Sequence, residues 1–143
     1  MTPLRSPRRA GERAAELFKR GWNCAESVFL AIHEQVDDSQ PPVNLVTALG
    51  GGFGSRKTCG ALTGAVVALG LVYGRKQINP EAKKLAYAKA RELYLAFRQR
   101  FHFTDCWELT NGEANEDERK RMCTPLVAEI TDMVMAILNE EST

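Results

Sequence analysis

The 143-residue sequence has no C-x-x-C pair, no G-x-S-x-G serine and only two histidines. The first absence removes zinc-ribbon and thioredoxin-type hairpins, in which two thiols share one turn. The second removes the nucleophile elbow of the α/β-hydrolases, since Ser6, Ser27, Ser39, Ser55 and Ser142 all lie in other contexts. His33 and His102 lack an i, i+4 partner for a helical metal site, and His33 reads as a rim residue beside Ile32. Charge of one sign is also missing. Nineteen Lys and Arg against eighteen Asp and Glu leave +1, which removes the global electrostatic case for nucleic acid or an anionic membrane surface. The basic cluster Arg5, Arg8, Arg9 and Arg13 lacks interleaved aromatics and reads as solvated charge. Long apolar runs are absent too: Ala61 to Tyr73 has thirteen residues and carries Gly64 and Gly70, short of the roughly 20 a membrane span needs. The segment MTPLRSPRRA has no apolar h-region. The expectation is a cytoplasmic chain with no nucleic-acid or membrane partner, in a compartment where lasting disulfides are rare.

What is present suffices for one core. Hydrophobic residues make up 44% and charged residues 26%, and a chain near this length buries about 70% of its unfolded surface. One domain is expected over residues 11–143, preceded by a basic, flexible segment over 1–10. Helical periodicity runs throughout, with no sustained strand alternation. Glu12 to Arg20 forms a first helix stopped by Gly21. Asn23 caps a second, with Ala25, Val28, Phe29, Ile32 and Val36 on one face. Asp37 to Pro42 breaks the chain before a short helix over Val43 to Leu49.

A glycine-rich loop, Gly50 to Ser55, leads into a helix from about Thr58 to Gly74. This helix is apolar on nearly all faces, so it is expected to be the buried centre. Asn79-Pro80 opens a helix reaching Phe101, with Ala86, Ala90, Leu93, Phe97 and Phe101 inward. Glu116 to Met122 reads as a charged turn, and Thr124-Pro125 as the cap and first residue of a last helix. The fold class is all-α, a bundle of about five or six helices.

The glycine loop fails as a phosphate cradle, because Arg56 stands where a P-loop needs glycine before Lys57-Thr58 and no strand precedes it. Acidic Glu113, Glu116, Asp117 and Glu118 lack calcium-loop spacing. Chemistry therefore falls to Cys24, Cys59, Cys106 and Cys123, separated by 35, 47 and 17 residues. All four fall at or beside expected helix starts, where unpaired N–H groups favour a thiolate. Cys59, preceded by Arg56 and Lys57 and followed by Gly60 and Ala61, is the first choice of reactive sulfur, with Cys24, Cys106 or Cys123 resolving it. Four buried thiols acting only as small hydrophobes are the competing structural account.

Cys59-Gly60-Ala61-Leu62-Thr63-Gly64, with Cys24 upstream and Cys106 and Cys123 downstream, resembles the C_GCAxxG_C_C family of proteins described as redox-active. The likeness extends from Asn23-Cys24-Ala25-Glu26 through the glycine loop and Ala68-Leu69-Gly70 to Cys123. It implies a four-cysteine site for thiol–disulfide chemistry. The alternative is Cys24, Cys59, Cys106 and Cys123 as ligands of an iron–sulfur cluster or one zinc, since a related domain accompanies haem and iron–sulfur chemistry in larger redox proteins. No residue names a redox partner, and a homodimer is compatible with the composition.

Overall fold

A computed structural model describes residues 9–142, so most of the basic segment over 1–10 lies outside the described residues. Six α-helices follow in order: α1 (Ala10–Lys19), α2 (Cys24–Val36), α3 (Gly60–Tyr73), α4 (Pro80–Phe101), the single turn α5 (Cys106–Leu109) and α6 (Glu116–Ser142), with a 3-10 helix over Val43–Leu49. The all-α class holds. Among the described residues there is no strand, and Thr58 and Asp105 form a lone antiparallel bridge. Helix α1 starts at Ala10, which is fully buried, so that residue belongs to the fold rather than to a flexible leader.

Asn23 starts α2 as its sequence demands. Its side chain accepts from the Glu26 N–H at 2.8 Å, while the Glu26 carboxylate accepts from the Asn23 N–H at 2.9 Å, a reciprocal cap. The other Glu26 oxygen accepts from the Thr47 hydroxyl at 2.7 Å, and Asn23 Nδ2 donates to the Thr47 carbonyl at 2.9 Å. One cap therefore also anchors the segment that leads into the glycine loop.

Two expectations about burial change. The most enclosed helix is α2, in which every residue from Ala25 to His33 is buried, because α1, α3, α6 and the 3-10 helix all pack on it. Helix α3 packs on α2, α4 and α6 but leaves Val66, Val67 and Leu71 about two-fifths exposed. Apolar composition on every face gives no direction, so it could not show which face stays open. His33 is buried rather than at the rim, with Nε2 3.7 Å from Asp37 Oδ2 and its ring against Phe29.

The larger correction concerns α6. No helix restarts at Thr124-Pro125; one helix runs through both. The Thr124 hydroxyl does not cap forward but donates back to the Lys120 carbonyl at 2.7 Å. An internal proline costs about 3 kcal/mol. Leu126, Val127, Ile130, Val134, Ile137 and Leu138 are buried beyond it, and each buried side chain returns roughly 1.5–3 kcal/mol. Packing on α1, α2, α3 and α4 thus keeps the helix continuous. By length and composition alone, Glu116–Glu140 is also long and apolar enough to cross a membrane. Glu129, Thr131 and Asp132 interrupt its apolar run, and much of the helix is buried in the fold.

Candidate functional site

The glycines of the signature build the site by removing bulk. A Cβ on Gly64 would lie 2.6 Å from the Ala25 carbonyl oxygen, and one on Gly60 would lie 2.6 Å from Cys24 Sγ. Four residues apart on α3, the two glycines share a face and let the N-terminal turns of α2 and α3 touch. Cys59, the N-cap of α3, comes to rest beside Cys24, the first residue of α2. The bridge then adds the third sulfur. The Cys59 N–H donates to the Thr104 carbonyl at 2.7 Å and the Cys106 N–H to the Lys57 carbonyl at 2.6 Å. Cys123 approaches from α6.

Cys24, Cys106 and Cys123 line one cleft of about 550 Å³, together with Arg56, Arg119 and Lys120. Cys59 is absent from the lining and lies buried behind it, near enough for its thiol to feel both Cys24 and Cys123. The four sulfurs scattered along the chain are therefore neighbours, and all four are free thiols. Three occupy helix starts, as expected. Cys123 does not, because α6 passes through it.

Arg56 is the residue that the sequence placed wrongly. Read as a cation for Cys59, it turns instead to Cys106, with Nε 3.2 Å from Sγ. Its other nitrogens donate to the Glu113 carbonyl at 3.2 Å and to the Thr110 hydroxyl, and its guanidinium stacks on Trp107. Thr110 passes its own hydrogen bond to the Cys106 carbonyl at 2.8 Å. The Asn111-Gly112 turn also packs against the indole: both residues have positive φ, and a Cβ on Gly112 would be 2.8 Å from the ring. Upstream, Gly51, Gly52, Phe53 and Gly54 all have φ between 62° and 65°, and Arg56 itself has φ 59°. That left-handed turn, which glycine adopts at little steric cost, carries Arg56 around to Cys106.

Electrostatics reverse the expectation for Cys59. Burial pushes its thiol up to about 12, and the neighbouring Cys24 adds to the rise; the N–H groups of Leu62 and Ala61 pull the other way but are outweighed. The helix-start effect is thus real and smaller than desolvation. Burial likewise raises Cys24, against hydrogen bonds from the Gly51 and Ala25 amides, and raises Cys123 to about 11, against Arg119 and Arg56. Cys59 is therefore poorly suited to attack first. Cys106, half-buried on the cleft, is the sulfur with a guanidinium in hydrogen-bond contact.

The metal reading finds no geometric support. Among the described residues, no three His, Cys, Asp or Glu side chains are placed to hold one metal ion. Cys24, Cys59, Cys106 and Cys123 are neighbours without converging on a common point for zinc, and no step is derived through a metal or cluster.

Helical domains that turn several thiols onto one cleft form a class defined by its sulfur atoms, and the glycines here are what permit the arrangement. The chain belongs to the C_GCAxxG_C_C family, described as "Putative redox-active protein (C_GCAxxG_C_C)", whose model matches residues 22–137. An uncharacterized protein of Archaeoglobus fulgidus is 30% identical over 146 aligned positions, covering 94% of this chain and 97% of the relative. No solved structure matches.

Sequence reasoning missed Arg119, Lys120 and Thr110. Arg119 and Lys120 precede Cys123 by four and three residues, spacings that share a helix face. That signal was legible only once α6 was read as continuous.

Proposed function

We propose that this protein exchanges thiols and disulfides through Cys106, with Cys24 or Cys123 as the resolving sulfur and Cys59 held in reserve behind them. The observation that carries this reading is the Arg56 guanidinium on Cys106 Sγ at the mouth of a cleft that two further cysteines line. The thiolate is the attacking species in thiol–disulfide exchange, and Cys106 is the cleft sulfur that a guanidinium contacts, at 3.2 Å. Cys24 and Cys123 line the same cleft as Cys106, which makes them the candidates to resolve a mixed disulfide. Thr110 and Trp107 hold Arg56 in place.

The reading is tested by equilibrating the anaerobically purified protein with graded mixtures of reduced and oxidised dithiothreitol. Free thiols are then trapped by alkylation in denaturant, so that buried Cys59 is counted too, and the number is read by intact mass. The expected result is a two-electron transition from four alkylatable thiols to two. Four alkylatable thiols at every ratio would overturn the proposal. So would a brown protein with stoichiometric iron, which would assign the sulfurs to a cluster.

A further inference from the structure

We infer that the cleft selects a small disulfide bearing carboxylates. This deepens the thiol–disulfide reading and rests on it. The lining carries Arg56, Arg119 and Lys120 against a single carboxylate, Glu116. Arg56 is already committed to Cys106, Thr110 and the Glu113 carbonyl. Arg119 and Lys120 are not: among the described residues neither forms an ion pair, although Arg121 on the same helix pairs with Glu118. Lys120 is steadied over the Phe18 ring at 5.4 Å, so its ammonium is held at the cleft without being neutralised. Two unneutralised cations beside reactive sulfur, on a chain of net charge only +1, are a local feature and call for an anionic ligand. The cavity, about 550 Å³, falls in the range of small-molecule sites, roughly 300–1,000 Å³.

The reaction balances without another reactant. Cys106 thiolate attacks one sulfur of R–S–S–R, forming Cys106–S–S–R and releasing RS⁻, which takes a proton from solvent. A second protein thiol, Cys24 or Cys123, loses its proton and attacks Cys106 Sγ, releasing the second RS⁻. Two protein thiols are oxidised to one disulfide, and one small disulfide is reduced to two thiols. Carboxylates on R meet Arg119 and Lys120 while the S–S bond meets Cys106.

Three disulfides of similar size serve as probes: dithiodipropionate with two negative charges, hydroxyethyl disulfide with none, and cystamine with two positive. Rates are measured on the reduced protein and on the Arg119→Gln/Lys120→Gln double variant. Glutamine keeps good helix propensity on α6. The readout is the ratio of anionic to neutral rate, and comparison of the two proteins cancels the probes' own reactivities. The ratio is expected to fall about tenfold in the double variant, and in the parent protein to fall as salt is raised. Cystamine is expected to show the opposite change. An anionic-to-neutral ratio identical in the two proteins, with hydroxyethyl disulfide reacting in both, would overturn the carboxylate selection and leave the thiol chemistry standing. No oxidation by any of the three would remove both.

Discussion

Cys106→Ser is expected to slow oxidation by hydroxyethyl disulfide severalfold at pH 7, because burial raises all three remaining thiols. The magnitude follows from the sulfurs that remain. A thiol at about 11, as for Cys123, carries roughly 10⁻⁴ of thiolate at pH 7, against a few per cent for a free cysteine. The more basic thiolate is intrinsically more nucleophilic, with a Brønsted slope of about 0.4–0.5, which returns roughly a factor of ten to fifteen. Cys123 is thus slower than a free cysteine by about twentyfold, while Cys24, raised by burial to a lesser degree, keeps part of the rate. Cys59, at about 12, fares worse. Serine is close in size and still accepts from Arg56 Nε, so the fold should survive. A rate within a factor of two of the parent would show that another sulfur makes the first attack. Circular dichroism on the same sample confirms that the comparison is between folded proteins.

Gly64→Ala and Gly70→Ala, two changes in one helix, are expected to have opposite signs. At Gly64 the new methyl would sit 2.6 Å from the Ala25 carbonyl oxygen and 2.8 Å from its Cα. Backbone cannot swing aside as a flexible side chain can, so α2 and α3 must separate. Such overpacking costs roughly 1–3 kcal/mol and sometimes more, and the gain in helix propensity of about 1 kcal/mol offsets only part. A net loss of about 1–2 kcal/mol is expected, together with faster alkylation of Cys59 as its cover loosens. At Gly70 an added Cβ meets nothing within 4 Å, so the propensity term acts alone and stability should rise by up to about 1 kcal/mol. Denaturant midpoints measure both. If the two variants shift in the same direction and by the same amount, the crossing of α2 and α3 at Gly64 is wrong.

These two glycines also mark how far the sequence could be read. The spacing of Gly60 and Gly64 announces a close helix approach, and it is the approach of α2 that makes Cys24 and Cys59 neighbours. Asn23 and Asn79-Pro80 are legible for the same reason: a cap acts within three residues, and Asn79 indeed accepts from the Glu81 and Ala82 amides at 3.1 Å each. What could not be read depends on distant partners. Thr124-Pro125 carries a strong local start signal, yet burial of Val127, Ile130 and Val134 against other helices overrides it. Cys59 has the expected amide donors from Ala61 and Leu62, but the size of its desolvation is decided by residues far away in the chain. Arg56 lies three residues before Cys59 and fifty before Cys106. Only the left-handed turn and the Thr58–Asp105 bridge, both tertiary features, direct it to the latter.

The order in which the four thiols react with iodoacetamide tests the account most directly. The native, reduced protein is labelled for short times across a pH series, and each cysteine is located by peptide mass. Burial raises an acid's pKa by disfavouring its anion, so labelling of a buried thiol must wait for higher pH. Cys106 should be modified first, Cys24 and Cys123 more slowly, and Cys59 last, gaining appreciable thiolate only as the pH nears 12 or the protein unfolds. Labelling of Cys59 at neutral pH as fast as Cys106, in protein that remains folded, would contradict the placement of the reactive sulfur at the cleft.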